Sequence, residues 1–407
     1  MTIFILMKLN RICLLVLVVL TSFQFSVPIE LPAWGFYGHR LINRKAVFTL
    51  PNEMIGFYKK HIEFLTEHAV DPDKRRYATK KEAYRHYIDI DHWGEAPFVN
   101  LPRKHSDAFW KNAKMTAYKN DEAVFSDTSL CSFKDCYESP VLKKLFYDYF
   151  IKEQGEEKIE VPEEMLKSLI SESQIDYNID KIEIEDVLTF QGILPYFFPS
   201  HYNRLVNSFR TGDVESVLRY SAEIGHYVSD AHVPLHTTVN YNGQLSDQLG
   251  IHAFWESRIP ELFAEEEYDF FVGRAEYIPD INNFIWDVIL DSHSMVDSVL
   301  AIESRLKESF PESQQFCFDE RLERNVFVQC PEFALAYQNE LEGMVEVQMQ
   351  KSIHALGSIW YSAWVDAGEL SIDAEGFTEM SEAFKKQSEI IEEKFKNGDI
   401  YGREHGQ

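Results

Sequence analysis

The sequence predicts an all-α protein, a multi-helix bundle, because apolar residues recur at helical spacing along most of the chain and strand-like alternation is almost absent. Prolines fall between the helical runs or at their ends, where helices are expected to stop. Hydrophobic residues make up 45% of the chain and aromatic residues 14%, which supplies a large core and disfavours intrinsic disorder. The 407-residue chain is therefore expected to fold as a large helical domain with elaborations.

Six segments carry the clearest helical pattern, at 41–50, 53–67, 141–150, 214–231, 281–306 and 332–364. The last thirty residues are charged and amphipathic, which is typical of a surface helix with a loose end. We therefore expect a helical domain over 34–370, followed by a peripheral helix and tail over 371–407.

The N-terminal segment has the layout of a secretory signal peptide. Lys8 and Arg11 precede an apolar run at 12–20, and Ala33 offers a small residue before Trp34. A membrane anchor is the alternative, but the apolar run is shorter than the roughly 20 residues that span a bilayer. We expect residues 1–33 to be removed and the protein to be exported, to a periplasm or to the outside.

The formal net charge of −26 makes the surface strongly acidic. Nucleic-acid-binding modules neutralise phosphates with Lys and Arg, so this charge weighs against a dedicated module of that class. A nuclease remains compatible with the charge, because bound metal ions reverse its sign locally.

Four cysteines remain after the predicted leader, an even number that in an exported protein indicates two disulfides. Three connectivities are open, and proximity along the chain favours Cys131 with Cys136 and Cys317 with Cys330. The spacings do not fit a structural cysteine-rich zinc site.

The densest chemical signal is a pair of short motifs rich in histidine and carboxylate. His226 and Asp230 are four residues apart in a predicted helix, so they share a face, and a proline that ends the helix turns His236 back toward them. His252 and Glu256 repeat the four-residue spacing. Imidazole and carboxylate groups in this arrangement predict metal binding, and zinc is the metal they suit best.

Apolar residues interleave with these titratable groups, so the groups are expected to be buried. Either pair alone fits an ordinary surface pair on a helix, but burying several charges together requires a compensating ion. His68, Asp89, Asp91 and His92 add further polar groups upstream, and their spacing does not decide between supporting the ligands and lying at the surface.

With these residues identified, the sequence resembles the superfamily of zinc-dependent phospholipases C and single-strand-specific zinc nucleases. These are all-helical enzymes built around three zinc ions. Their mature chains begin with a Trp whose amine and carbonyl bind zinc, followed shortly by a His, as at Trp34 and His39. An Asp about fifteen residues before a His matches Asp71 and His86. The resemblance covers roughly 34–261, apart from an unmatched insertion near 94–200.

The resemblance implies nine ligands for three zinc ions. Asp71, His86, His226 and Asp230 would hold one zinc, His236, His252 and Glu256 a second, and Trp34, His39 and the bridging Asp230 a third. Asp73 lies close enough to Asp71 that the sequence does not separate them. A Glu as the last acid is typical of the phospholipase C branch, whereas the nuclease branch tends to carry Asp.

The function implied by the resemblance is hydrolysis of a phosphodiester, most simply phospholipase C-like cleavage of a phospholipid head group by a metal-activated hydroxide. Asp71, as ligand and base, would orient the attacking water, and Asp230 would bridge two zinc ions. A phospholipid substrate also implies transient contact with a membrane surface. No stable protein partner is inferred.

Three alternatives stay open at this point. The same site would suit a single-strand-specific nuclease or 3′-nucleotidase, or a general phosphatase, and a zinc-binding protein without catalysis is the alternative of another class. The nucleophile elbow of serine hydrolases and the Walker phosphate loop are both missing from the sequence, so those mechanisms have no support.

We expect the exported protein to begin at Trp34, because the implied third zinc site uses the free amine of that residue. N-terminal sequencing of the secreted protein checks this. A different first residue would remove Trp34 from the ligand set while leaving the side-chain ligands untouched.

Overall fold

The computed structural model describes residues 35–127, 139–152, 157–173, 179–321, 324–372, 377, 379–398, 400–401 and 403. Within these ranges the protein is mostly helical, which confirms the predicted helical class. The predicted signal peptide, Trp34, Cys131 and Cys136 lie outside the described residues. None of the described helices is both long and apolar enough to cross a membrane.

The elements follow one another along the chain as a series of helices interrupted by two small groups of strands. The helices are α1 (Gly35–Ala46), α2 (Asn52–Lys60), α3 (Ile62–Glu67), α4 (Asp71–Arg75), α5 (Lys80–Ala83), α6 (His105–Asn112), α7 (Pro140–Leu145), α8 (Glu163–Ser173), α9 (Leu194–Thr211), α10 (Val214–Ala231), α11 (Ile251–Ala253), α12 (Ile259–Glu267), α13 (Ile281–His293), α14 (Val296–Ser309), α15 (Pro331–Glu340), α16 (Met344–Asp366) and α17 (Glu382–Asn397). The strands are β1 (Lys114–Lys119), β2 (Glu122–Asp127), β3 (Lys158–Glu160), β4 (Lys181–Glu185), β5 (Phe316–Arg321) and β6 (Arg324–Gln329).

Helix α10 is the centre of the bundle. Asp213 caps its first turn, because the Asp213 side chain accepts a hydrogen bond from the amide of Ser216. The helix spans Val214–Ala231, which are the bounds that the apolar spacing predicts. Every residue from 221 to 231 is buried, because α1, α9 and α16 pack around this half of the helix. A helix buried on all sides can place polar groups only where something in the interior satisfies them.

Two glycines allow α1 to approach the long helices closely. A Cβ at Gly225 of α10 would lie 1.9 Å from Asn43 Oδ1, and one at Gly357 of α16 would lie 1.8 Å from Thr49 Oγ1. The amide of Asn43 uses this proximity to donate hydrogen bonds to the carbonyls of Leu65 and Ala222. Close approach therefore fixes α1, and with it the predicted ligand His39, against α10.

Several predicted helices are divided. The run 53–67 is broken at His61, and 281–306 is broken between α13 and α14. The run 332–364 is broken at Glu342 and Gly343, both in the left-handed region with φ of 50° and 81°. The helical spacing of apolar residues continues across a break of a few residues in the helix, so the spacing alone could not locate these turns.

The expectation that strands are almost absent was too strong. Within the predicted insertion, four strands form an antiparallel sheet in the order β2-β1-β4-β3. Strand β4 alternates buried isoleucines with charged residues. This alternation is typical of a strand, and the prediction of an all-helical chain did not take it into account. A second sheet is the hairpin of β5 and β6.

The hairpin bears on one predicted disulfide. Cys317 of β5 and Cys330, just after β6, are free cysteines whose side chains interact across the hairpin. Burial and the neighbouring Cys317 raise the pKa of the Cys330 thiol to about 11. The two thiols are thus neighbours, as the pairing requires, but the bond itself stays a prediction.

Replacing Gly225 by Ala is expected to lower the free energy of unfolding by about 1–3 kcal/mol, because the new methyl group would collide with Asn43 in a packed interior. Gly56 of α2 is the matched control, since a Cβ there meets nothing within 4 Å. Gly56→Ala should leave stability unchanged or raise it by up to about 1 kcal/mol through helix propensity. Urea unfolding of both variants measures the difference, and equal stabilities would contradict the close approach.

Candidate metal centre

Eight buried side chains from distant parts of the chain converge on one place. They form three groups, two of which share His226, and within each group the candidate ligand atoms lie within 4.8 Å of one another: His39, His226 and Asp230; Asp73, His86 and His226; and His236, His252 and Glu256. None of the eight residues is more than 3% exposed. The structure therefore brings together seven of the nine predicted ligands and adds Asp73.

The local structure explains how each ligand reaches the centre. His226 and Asp230 are one turn apart on the buried face of α10, and the 3₁₀ turn Pro234–Thr237 carries His236 back to that face. His252 lies in α11, and Glu256 lies in the π-helical segment Phe254–Arg258 that continues it. The four-residue spacings predicted from the sequence are thus realised on helices.

Asp230 lies between the groups. Its Oδ2 is 2.9 Å from His86 Nδ1 and 3.3 Å from His226 Nε2. Its Oδ1 is 3.6 Å from His39 Nε2 and 4.0 Å from His236 Nε2. The two oxygens therefore face different imidazoles, as a bridging carboxylate must.

Hydrogen bonds from the rear of the rings orient the imidazoles. The Nδ1–H groups of His226, His236 and His252 donate to the backbone carbonyls of Ala69, His86 and Tyr241, at 2.9, 2.6 and 2.9 Å. A carbonyl can only accept, so the proton is on Nδ1 and the lone pair of Nε2 points to the centre. His39 is held in the same way by the Ser229 hydroxyl at 2.8 Å. Ligating histidines usually have such a support.

Asp73, rather than the predicted Asp71, belongs to one of the groups that could hold a metal ion. Asp71 Oδ2 lies 2.6 Å from His68 Nδ1, and Asp71 belongs to none of the three groups. Asp73 Oδ1 lies 3.7 Å from His226 Nε2 and 3.8 Å from His86 Nδ1. Helix α4 begins at Asp71, so residues two apart point to opposite sides of it, and only Asp73 faces the centre.

The protein compensates the carboxylates of Asp73 and Asp230 only in part, since Arg76 Nη1 lies 3.6 Å from Asp73 Oδ1 and no Lys or Arg forms an ion pair with Asp230 among the described residues. Both side-chain oxygens of Asp73, and Oδ1 of Asp230, are buried without a hydrogen-bond partner among the described residues. Burial raises the pKa of Asp73 to about 7, and burial together with Asp73 and Glu256 raises the pKa of Asp230 well above its usual value. Burial alone would raise the pKa of Glu256 too, but His252 and His236 hold it below its usual range.

A divalent cation resolves this imbalance. Burial lowers the pKa of His86 and of His226 well below the usual value, so both imidazoles are neutral and able to ligate. Neutral imidazoles and carboxylates are the donors that zinc takes from proteins. The residues present could therefore hold a metal ion, and zinc fits their donor types; the metal would supply the missing positive charge.

A buried ion network lies directly behind His86. Glu82 Oε1 is 3.8 Å from His86 Nε2, and the Glu82 carboxylate accepts hydrogen bonds from Arg75 and Arg85. Although burial opposes ionisation, these two cations hold the pKa of Glu82 below its usual value. The network fixes α5 behind the His86 ring.

Of the other polar residues upstream, Asp89 and Asp91 hold neighbouring segments in place, whereas His92 lies at the surface. Asp91 accepts hydrogen bonds from the Thr238 hydroxyl and the Val239 amide, so it anchors the loop that follows His236. Asp89 forms an ion pair with Arg403 near the end of the chain. His92, in contrast, is exposed and contacts Asn112.

No family model matches this chain, and none of the curated proteins matches it either. The candidate centre is therefore defined by the geometry of its own residues.

Replacing Asp73 by Asn should reduce the amount of zinc bound per chain, because Asp73 belongs to a ligand group and Asp71 does not. Asp71→Asn is the matched control, two residues away in the same short helix, and should keep the zinc content of the parent protein. Elemental analysis of both purified variants checks this. Zinc loss in Asp71→Asn alone would return the ligand role to Asp71.

Proposed function

We propose that this protein is a zinc-dependent phosphodiester hydrolase with phospholipase C-like activity on phospholipid head groups, using three zinc ions. The observation that carries the proposal is the convergence of five imidazoles and three carboxylates on one buried place, with Asp230 facing two sides of it. Multinuclear zinc sites of this composition are suited to phosphoryl transfer.

In this proposal Asp73, His86, His226 and Asp230 hold one ion, and His236, His252 and Glu256 hold a second. His39 and Asp230 contribute to a third, with the amine of Trp34 as the resemblance implies. Bound zinc lowers the pKa of a coordinated water toward about 7 and takes up negative charge on the phosphoryl oxygens.

The residues of the chain would hold the reacting groups in place rather than form covalent bonds to them. The rear hydrogen bonds of the imidazoles fix their lone pairs before substrate arrives, which is the preorganisation that electrostatic catalysis needs. Asp73 takes the orienting role first assigned to Asp71, because Asp73 belongs to a ligand group and both of its side-chain oxygens are buried without a hydrogen-bond partner among the described residues.

Two features favour a lipid over a nucleic acid. The loop between His236 and His252 exposes Leu245 by 69% and Leu249 by 65%, and apolar side chains beside a lipid-cleaving site can enter the membrane interface. The net charge of −26 opposes the approach of a polyanion. A single-strand-specific nuclease is the alternative within the same chemistry.

One observation favours a zinc protein without catalysis as the second candidate. All eight converging residues are at most 3% exposed, which is typical of closed structural sites, whereas catalytic zinc keeps an open position.

Zinc-loaded protein is expected to release the phosphorylated head group from phosphatidylcholine vesicles and to show little activity on single-stranded DNA. Asp73→Asn should lower kcat/KM by about 10- to 100-fold, as losses of groups that support zinc ligands do. Phosphate release after phosphatase treatment measures the first reaction, and acid-soluble nucleotide the second. DNA cleavage alone would move the protein to the nuclease alternative, and no turnover with full zinc would favour the non-catalytic one.

A further inference from the structure

The end of the chain lies against the metal centre. Helix α17 packs on α4, where Lys74 and Glu392 form an ion pair of 3.0 Å and the rings of Tyr77 and Phe395 meet edge to face. Beyond the helix, the amide of Tyr401 donates to the carbonyl of Arg76 at 3.0 Å. These contacts direct the last described residues toward the centre.

The Arg403 side chain occupies a defined cage. Its guanidinium lies 3.7 Å from the centroid of the Tyr87 ring and 4.7 Å from that of Tyr241. The same group pairs with the carboxylate of Asp89, which is 1% exposed, and donates to the carbonyl of Thr238 at 3.5 Å. Aromatic faces with a buried carboxylate are a cation-binding arrangement.

The residues that contact Tyr401 and Arg403 lie within three residues of a candidate ligand in the sequence or form a hydrogen bond with one. Tyr87 follows His86 in the sequence, and Thr238 lies two residues after His236. The carbonyl of Tyr241 accepts the hydrogen bond of His252. Arg76 donates to the carbonyl of Arg403 and also lies 3.6 Å from Asp73 Oδ1. The chain end thus contacts the supports of both the Asp73 group and the Glu256 group.

The burial of the centre restricts access to the candidate ligands. A hydrolase must admit its substrate, yet the candidate ligands are at most 3% exposed. Some segment therefore has to move. Tyr401 and Arg403 lie beyond the last described helix and are held by a few contacts of one backbone amide, one carbonyl and one side chain, so their release disturbs no other described element.

We propose that Tyr401 and Arg403 form a C-terminal cap that closes the metal centre, and that Tyr87, Asp89 and Tyr241 form a guanidinium-binding site occupied by the chain's own Arg403. Leaving the cage opens access to the centre, and refilling it closes that access. The need for access rests on the proposed hydrolase function, whereas the cap itself can be tested by measurements that require no turnover.

The test compares full-length Arg403→Ala with Arg403→Lys and with Arg305→Ala, which removes an exposed Arg paired with Glu340 elsewhere on the surface. If the open form is about a tenth of the population, Arg403→Ala should raise kcat/KM on phosphatidylcholine about tenfold. Arg403→Lys, which keeps the charge without the planar group, should give a smaller rise, and Arg305→Ala none.

Two further measurements do not depend on turnover. The rate at which a chelator removes zinc should rise by a similar factor in Arg403→Ala, and added free arginine should slow it again by refilling the cage. Hydrogen exchange of the Tyr401 amide should become faster in the same variant.

The outcomes separate the cap from the proposed function. Faster zinc removal without turnover in any variant supports the cap and overturns the hydrolase. If Tyr401 exchange becomes faster while zinc removal and kcat/KM stay at parent values, the cap does not guard the centre and the inference is wrong. Reduced kcat/KM with full zinc would also overturn it, because Arg403 would then serve the substrate.

Discussion

The structure depends on burying Asp230 and Asp73 among five imidazoles at the heart of the bundle. Buried carboxylate oxygens without a hydrogen-bond partner, here both of Asp73 and Oδ1 of Asp230, are unfavourable unless a cation compensates them. Most other features of this region serve to bring ligands to that place. The close packing of α1 on α10 brings His39, and the turn after α10 brings His236. Metal binding would then be coupled to folding, because the site exists only when these elements are assembled.

Around the centre lie groups that orient the side chains that could ligate a metal. Backbone carbonyls orient three histidines, and a serine hydroxyl orients a fourth. Behind His86, Glu82 is kept ionised by two arginines. Such support restricts each ring to one orientation and gives α5 and α10 a joint role in positioning metal ligands.

The C-terminal cap and the loop after His236 meet at Tyr241 and contribute different kinds of side chain. The loop contributes exposed leucines, whereas the chain end contributes an arginine held by two tyrosines and Asp89. Because Tyr241 belongs to the loop and also supports His252, movement at this edge would be communicated to a ligand. Access and metal coordination are therefore physically connected here.

The sequence by itself determined the helical class, the bounds of α10 and the pairs His226–Asp230 and His252–Glu256. Helical periodicity and four-residue spacing are local properties, so they can be recognised without knowledge of the fold. The strict alternation of β4 was a local signal as well, although the helical pattern around it concealed the small sheet.

Only the tertiary structure places Asp73, rather than Asp71, in a group that could hold a metal ion, and places Arg403 beside residues that support the centre. The first choice depends on the residue at which α4 begins, which sets the side of the helix that each carboxylate faces. The second depends on contacts between residues more than three hundred positions apart, such as Asp89 and Arg403, for which the sequence carries no spacing rule. Proximity of this kind arises only when the helices pack.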